Sequence, residues 1–113
     1  RFAKIGGEMV SLSAVEAMAA ELWPGAVSIV VSVPDARKGE RLVLLTPEAK
    51  ATREQFSRHA RMKGASELSV PAEILVVPSV PVLGSGKPDY VAAAALVEER
   101  MDKAEGSTGT VAA

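Results

Sequence analysis

The chain has 113 residues, of which 48% are hydrophobic and 24% charged, so its length and composition are those of one globular domain. It contains no cysteine and a single histidine, His59, which excludes disulfide scaffolds, zinc fingers and any site that needs two imidazoles. Its longest apolar runs fall far short of the ~20 residues of a membrane helix, so no direct membrane span is expected. It does not begin with methionine, which fits a fragment of a longer protein as well as a processed one.

The formal net charge of −1 conceals an uneven distribution. Residues 35–63 contain eight lysines or arginines and four acidic residues, whereas the rest of the chain is acidic. A basic segment of this size suggests a modestly acidic partner. Nucleic-acid-binding domains are usually basic as a whole, so a nucleic-acid partner is not expected.

The first part of the chain predicts a short hairpin followed by a helix. Residues 1–10 have the pattern of two short strands joined at Gly6-Gly7, where adjacent glycines allow the positive φ angles of a tight turn. Ser13-Ala14-Val15-Glu16 fits a capping box that would start the helix, and Trp23-Pro24-Gly25 would end it. The apolar face of this helix consists of Val15, Met18, Ala19 and Leu22.

The middle of the chain predicts a second hairpin and a second helix. Residues 26–33, rich in valine and isoleucine, and residues 40–46 have the pattern of two antiparallel strands. Residues 52–63 follow as a helix that ends at Gly64. On a helical wheel this helix is basic on one side and apolar on the other. The basic side consists of Lys50, Arg53, Arg58 and Arg61, and the apolar side of Phe56 and Ala60.

The last part predicts a short strand over residues 73–77, a loop over residues 80–88 and a third helix capped by Asp89. The composition of residues 104–113 shifts to small and polar residues, which predicts a frayed tail. Strands and helices in this mixed order predict an α+β domain, with a short N-terminal hairpin and about three helices packed on a small mixed sheet.

The loop Gly84-Ser85-Gly86-Lys87 is the most informative segment for chemistry. Closely spaced glycines let a backbone approach an anion, and the lysine adds one cationic group. It is not a Walker A loop, because Pro81 and Pro88 stand where that pattern needs glycine and serine or threonine. Spacing alone favours a flexible surface turn with a solvated lysine.

The other candidates also have plain structural interpretations. Gly6-Gly7 is interpreted as a plain hairpin turn in preference to a place where a ligand passes close to the backbone. Lys4 is interpreted as a solvated strand residue. His59 has no partners in a catalytic-triad order and is interpreted as a residue at the edge of the core. Trp23 is interpreted as a packing residue and the basic side of the second helix as a solvated face. The carboxylates form no metal-binding pattern, so no metal site is predicted.

Three segments together resemble the small C-terminal subdomain of adenylate-forming enzymes, the superfamily of acyl-CoA synthetases, luciferase and peptide-synthetase adenylation domains. Residues 3–12 resemble the motif next to the family's hinge, and Val33-Pro34-Asp35 resembles its Val-Pro-Asp turn. Pro81 with Ser85-Gly86-Lys87 resembles its closing motif, and the order and spacing of all three agree. The resemblance implies that residues 1–103 are a mobile subdomain of a ligase whose ATP and Mg are bound mainly by a large N-terminal adenylation domain.

Residues 2–5, 8–12 and 83–89 resemble more narrowly the bacterial members that join fatty acids to acyl carrier protein. Leu83 and Pro88, where many members have threonine and isoleucine or leucine, agree with this. The resemblance implies that fatty acid and ATP give an acyl-adenylate, whose acyl group passes to the phosphopantetheine thiol of acyl carrier protein or to coenzyme A. Full-length members would then acylate a lysophospholipid through a separate domain, which implies a place at the cytoplasmic face of the bacterial inner membrane.

The resemblance also implies two poses of the subdomain. In the adenylation pose, Lys87 on the nucleotide loop Gly84-Ser85-Gly86 would reach the fatty-acid carboxylate and the nucleotide, acting by position and charge rather than as a base. In the thioester pose, Lys4 and the Gly6-Gly7 turn would face the large domain, with Gly7 lining the pantetheine path. Acyl carrier proteins are acidic as a family, which gives the second helix a candidate docking role. Its candidate docking residues are Arg53, Arg58 and Arg61.

An interpretation from another functional class stays open, in which the chain is a stand-alone binding module that keeps the fold without catalysis. The sequence before Arg1 distinguishes the two. Several hundred upstream residues in the reading frame would indicate the enzyme, and a start codon at this point would indicate the module.

Overall fold

The computed structural model describes the backbone of residues 1–112 and the side chains of residues 1–101. Its strands are Phe2–Ile5 (β1), Glu8–Ser11 (β2), Ile29–Asp35 (β3), Gly39–Thr46 (β4) and Glu73–Val76 (β5). Its helices are Leu12–Leu22 (α1), Arg53–Met62 (α2) and Tyr90–Ala112 (α3), with a short 3-10 helix at Glu67–Ser69. In this part of the chain no helix is long and apolar enough to cross a membrane.

The strands form two separate sheets. β1 and β2 pair as an antiparallel hairpin, and the second sheet has the order β3-β4-β5. β3 is antiparallel to β4, with Ile29 opposite Leu45, and β5 is parallel to β4, with Ile74 opposite Leu44. The predicted α+β fold, with an N-terminal hairpin, a small mixed sheet and three helices, is confirmed.

The three-stranded sheet separates two hydrophobic clusters. Because side chains alternate along a strand, Val30 and Leu44 face the hairpin, α1 and α2, whereas Val31 and Leu45 face α3. Trp23, predicted to pack beside its Pro-Gly stop, is 8% exposed in the first cluster, with its ring centroid 6.4 Å from that of Phe56. The hairpin and α3 therefore lie on opposite faces of the sheet.

The predicted capping box of Ser13 and Glu16 is wrong. Helix α1 begins at Leu12, and the Ser11 hydroxyl accepts the Ala14 amide hydrogen at 3.1 Å. The Glu16 carboxylate instead accepts the amide hydrogen of Val30, on β3, at 2.9 Å. Tertiary contact with the sheet, which a local pattern does not contain, decides the orientation of this carboxylate.

The other element boundaries shift by at most three residues, except that α3 extends to Ala112, into the region predicted as a frayed tail. β3 begins at Ile29 rather than at residue 26. α2 begins after Thr52, where Thr52 and Gln55 form a capping box in which each side chain accepts the other's amide hydrogen. Asp89 caps α3 as predicted, since its carboxylate accepts the Ala92 amide hydrogen at 3.0 Å. The predicted tail of residues 104–113 lies beyond the described side chains and stays a prediction.

Candidate functional site

Lys87 lies at the end of a three-residue loop, residues 84–86, whose backbone is closed by its own hydrogen bonds. The Leu83 amide donates to the Lys87 carbonyl at 2.7 Å, and the Gly86 amide donates to the Leu83 carbonyl at 2.9 Å. The Ser85 hydroxyl accepts the Lys87 amide hydrogen at 3.4 Å. Gly86 has a φ of 91°, which an L side chain adopts only with strain. The glycine at this position is therefore required by the loop backbone itself.

The base of the Lys87 loop is attached directly to α3. The Asp89 amide donates to the Pro81 carbonyl at 3.0 Å, and Val82 and Pro88 form an isolated antiparallel bridge. Pro88, with its fixed φ, stands between Lys87 and the Asp89 cap. Few free torsions therefore separate the backbone of Lys87 from the beginning of the helix.

The side chain of Lys87 is available for contact with another surface. It is exposed, and its ammonium group has no hydrogen-bond or ion-pair partner in the described part of the chain. Three nearby apolar side chains are also exposed, Val82 at 56%, Leu83 at 47% and Val91 at 83%. A cation bordered by apolar side chains suits a surface that covers it and brings an anion.

The Gly6-Gly7 turn has the geometry that the sequence predicts. Gly6 and Gly7 have φ angles of 59° and 88°, and Ile5 pairs with Glu8 across the turn. Positive φ at both central positions is what a two-residue hairpin turn of type I′ requires. A Cβ built on either glycine would meet nothing within 4 Å. Inside this chain the glycines are therefore required by backbone conformation and not by a close contact.

The hairpin has a buried face and an exposed face. Ala3, Ile5 and Val10 are buried in the first cluster. Lys4 is on the opposite face, where Phe2 is 64% exposed and Met9, directly opposite Lys4, is 65% exposed. The exposed face is thus a lysine flanked by two large apolar side chains, a second surface suited to docking.

Two hydrogen bonds hold the hairpin to the turn before β4 and to the beginning of β4. The Gly6 amide donates to the Lys38 carbonyl at 3.1 Å, and the Lys4 amide donates to the Glu40 carboxylate at 2.7 Å. Glu40 also accepts the Ser32 hydroxyl hydrogen at 2.6 Å. The hydroxyl of Ser32 and then the amide of Lys4 hold the pKa of Glu40 below its ordinary value.

The structure keeps the two lysine-bearing turns apart. Gly84, Ser85 and Gly86 form one loop with Lys87, and Lys4 shares its hairpin with Gly6-Gly7. The hairpin packs with α1 and α2, while the Lys87 loop leads into α3 on the other face of the sheet.

The basic side of α2 forms an open groove. The groove is lined by Arg53, Glu54, Ser57, Arg58 and Arg61, so the three predicted docking arginines lie together. Arg58 pairs with Glu54 at 3.5 Å, and Arg53 donates through Nε to the Pro71 carbonyl at 2.7 Å. Arg53 is therefore partly occupied by a structural contact.

His59 has a structural environment, in agreement with its interpretation from the sequence. Its side chain is 20% exposed and contacts Glu21 of α1 at 2.8 Å, and Lys63 contacts the same carboxylate at 3.1 Å. The contacts with His59 and then with Lys63 hold the pKa of Glu21 below its ordinary value. Among the described residues, no group of three or more histidine, aspartate or glutamate side chains is placed to hold a metal ion.

Sequence reasoning did not find a polar cluster beside the Lys87 loop, formed by Arg1, Glu16 and Tyr90. Glu16 accepts hydrogen bonds from Tyr90 and Val30 and pairs with Arg1 at 3.5 Å. Burial, and then the charge of Glu16, raises the pKa of Tyr90. The signal in the sequence was an acidic residue on a helix that packs on a strand, but the Ser-x-x-Glu pattern gave it a local explanation.

The sequence matches no protein-family model. Among solved structures, an amide bond synthetase from Marinactinospora thermotolerans is 28% identical with a TM-score of 0.70, over 80% of this chain and 19% of that chain. An acyl-CoA synthetase from Brucella canis is 24% identical with a TM-score of 0.72, over 88% of this chain and 20% of that one. ATP-bound MatB from Rhodopseudomonas palustris is 22% identical with a TM-score of 0.65, over 77% and 18% of the two chains.

The chain has the fold of the C-terminal subdomain of adenylate-forming enzymes. It spans about a fifth of the length of the solved structures that it matches.

Proposed function

We propose that this chain is the mobile C-terminal lid of an ATP-dependent fatty-acid ligase. Residues 1–103 alternate between two poses against the large N-terminal adenylation domain of the same polypeptide. The observation that carries the proposal is the ammonium group of Lys87, exposed and without a partner among the described residues, on a loop closed by its own backbone. The similarity in fold to synthetases supports it.

In the first step, a carboxylate oxygen of the fatty acid attacks the α-phosphorus of ATP, and the bond to the pyrophosphate oxygen breaks. Negative charge is concentrated where the carboxylate meets the phosphate. Lys87 stabilises this charge by its position and stays protonated throughout, as a directed cation in a site that excludes water. ATP and Mg are bound mainly by the large domain.

In the second step, the thiolate of phosphopantetheine attacks the acyl carbonyl and AMP leaves. The hairpin faces the large domain in this pose, with Lys4 and the apolar pair Phe2 and Met9 at the contact. The open side of the Gly6-Gly7 turn leaves room for a narrow pantetheine path, because no Cβ projects from it.

The narrower proposal is that the intact protein is a bacterial bifunctional acyl-[acyl-carrier-protein] synthetase/2-acylglycerophosphoethanolamine acyltransferase. The resemblance of residues 2–5, 8–12 and 83–89 supports it. Acyl carrier protein is then the thiol donor, and the arginine groove of α2 attracts its acidic surface. The acyl group goes on to a lysophospholipid at the inner membrane, in a domain outside this chain.

The test is Lys87→Ala in the intact polypeptide, with the two half-reactions assayed separately. Adenylation, measured by pyrophosphate release, should fall about 10²- to 10³-fold, the scale of losing one electrostatic stabiliser. Acyl transfer from preformed acyl-adenylate should be spared. Lys63→Ala, which removes an exposed lysine at the end of α2, is the matched control and should leave both half-reactions unchanged.

Equal loss of both half-reactions in Lys87→Ala would contradict the assignment of Lys87 to adenylation. The reading frame upstream of Arg1 gives an independent test. If a start codon stands at this point, the ligase proposal is wrong and the fold serves as a stand-alone binding module.

A further inference from the structure

The Arg1–Glu16–Tyr90 cluster joins the residue before β1, the middle of α1 and the first residue of α3. The Tyr90 hydroxyl donates to the two oxygens of the Glu16 carboxylate, at 3.2 and 3.1 Å. The guanidinium of Arg1 lies over the Tyr90 ring, 3.5 Å from its centroid, which is a cation–π contact. The side chain of Tyr90 is thus held both at its hydroxyl and at its ring face.

Part of this cluster has a structural role at the sheet edge. β3 is an edge strand, and its Val30 amide donates to Glu16 at 2.9 Å while Arg1 donates to the Val30 carbonyl at 2.6 Å. The two side chains pair backbone groups that an edge strand otherwise leaves open. This role accounts for Arg1 and Glu16, but it needs nothing from Tyr90.

The position of Tyr90 relates the cluster to the Lys87 loop. Tyr90 follows Lys87 by three residues, with only Pro88 and Asp89 between them. Both intervening residues are constrained, Pro88 by its ring and Asp89 by its hydrogen bond to the Pro81 carbonyl. A displacement of Tyr90 is therefore transmitted to the base of the loop rather than absorbed on the way.

The cluster is partly shielded from solvent. The Glu16 side chain is 19% exposed and that of Arg1 34% exposed. Charged hydrogen bonds in a partly desolvated place are stronger than those on an open surface. The loop has no such contacts beyond its base, because residues 82–87 are all exposed.

We propose that Arg1, Glu16 and Tyr90 are positioning residues for Lys87, which fix the base of its loop to β1 and α1. The first strand and the Lys87 loop then rotate as one rigid body when the lid changes pose. This inference rests on the proposed function of Lys87. It assigns a role in adenylation to three residues that need not touch the substrate.

The first test asks whether the cluster exists in solution. Tyr90 is the only tyrosine of the chain, so ultraviolet absorbance of the 113-residue chain follows its ionisation alone. Glu16→Gln removes a negative charge beside the phenol and should lower the pKa of Tyr90. Arg1→Gln removes a positive charge and should raise it. Glu21→Gln, the same change elsewhere on α1, should leave it unaltered, and circular dichroism should show each variant folded.

If the pKa of Tyr90 is the same in the wild type and in folded Glu16→Gln, the cluster does not form and the inference is wrong. The opposite signs of the two shifts matter, because general loosening of the structure would move both variants in the same direction.

The second test uses the half-reactions of the intact polypeptide. Tyr90→Phe keeps the ring under Arg1 but removes the hydroxyl, and Glu16→Ala removes the acceptor. Each should lower kcat of adenylation about 10- to 100-fold, the scale of a displacement of about 1 Å, with a much smaller change in KM for ATP. Acyl transfer from preformed adenylate should be spared. Glu16→Gln, which can still accept from Tyr90 and Val30, should retain most of the activity.

Lys87→Ala, measured in parallel, separates the two proposals. If it does not slow adenylation, the proposed function of Lys87 fails and the positioning role with it. If it slows adenylation while Tyr90→Phe and Glu16→Ala do not, only the positioning role is overturned. If Glu16→Ala slows both half-reactions equally and lowers the unfolding midpoint, the cluster has only its structural role at the sheet edge. This result would also overturn the inference.

Discussion

The Gly6-Gly7 hairpin and the Lys87 loop are built alike but attached differently. In each, glycine supplies positive φ, 88° at Gly7 and 91° at Gly86, and an exposed lysine lies nearby. The hairpin buries its inner face in the core and is attached by hydrogen bonds to the beginning of β4 and the turn before it. The Lys87 loop has no buried face, since residues 82–87 are all exposed.

This difference shows two ways of presenting a cation. Lys4 is placed by hydrophobic burial of Ala3 and Ile5 on either side of it. Lys87 is placed by backbone hydrogen bonds and by the attachment of its base to α3. A small change in the backbone of the Lys87 loop should therefore alter the position of Lys87 without altering that of Lys4.

Replacing single glycines with alanine should separate the functions of the two turns most clearly. Gly7, Gly86 and Gly64 all have positive φ, and a Cβ on any of them would meet nothing within 4 Å. Alanine at each should cost a similar ~1–2 kcal/mol of stability, because each forces an L residue into the left-handed region. Gly86→Ala should slow adenylation, and Gly7→Ala should slow acyl transfer, each about tenfold or more.

Gly64→Ala, at the end of α2, is the stability-matched control and should spare both half-reactions. Thermal unfolding of the three variants checks that their stabilities match. If Gly7→Ala and Gly86→Ala slow the same half-reaction, the proposal that the Lys87 loop serves adenylation and the hairpin serves acyl transfer is wrong.

Charge reversal in the α2 groove tests the proposed docking of acyl carrier protein, a contact that neither turn makes. Arg58→Glu with Arg61→Glu should lower the association rate of acyl carrier protein up to about tenfold at low salt, and the effect should vanish at high salt. Arg53 is added only in a third variant, because its Nε also binds the Pro71 carbonyl. Glu54→Lys, in the same groove, should act in the opposite direction. Carrier affinity that is unchanged at low salt in the triple variant contradicts docking at this groove.

The parts of the fold that sequence predicted are those set by local chemistry. Adjacent glycines fix the first turn, Asp89 caps α3, and helical spacing places Phe56 and Ala60 in the core. The hydrogen bonds that close the Lys87 loop also join nearby residues, but the spacing of the sequence predicted only a surface turn there.

The parts that sequence missed depend on contacts between distant residues. Glu16 contacts Val30 and Tyr90, which are 14 and 74 positions away. The cap of α1 is Ser11, whereas the local pattern pointed to Ser13. The predicted role of Lys87 stays a prediction, because its proposed partner belongs to another domain and this chain shows only that the lysine is exposed.

The smallest expected effect is on the pH dependence of stability, through the ionisation of Glu40, which attaches the hairpin to β4. The hydrogen bonds from Ser32 and Lys4 depress the pKa of Glu40 in the folded state below its ordinary value of 4.5. Its contribution to stability is therefore present above pH 4.5 and is lost as the pH falls through the depressed folded value. Glu40→Gln should remove this part of the acid sensitivity, measured as the difference in urea midpoint from the wild type across that range. The amide resonance of Lys4 should titrate with the same depressed midpoint, and a midpoint at or above 4.5 would mean that the hairpin is not held by this carboxylate.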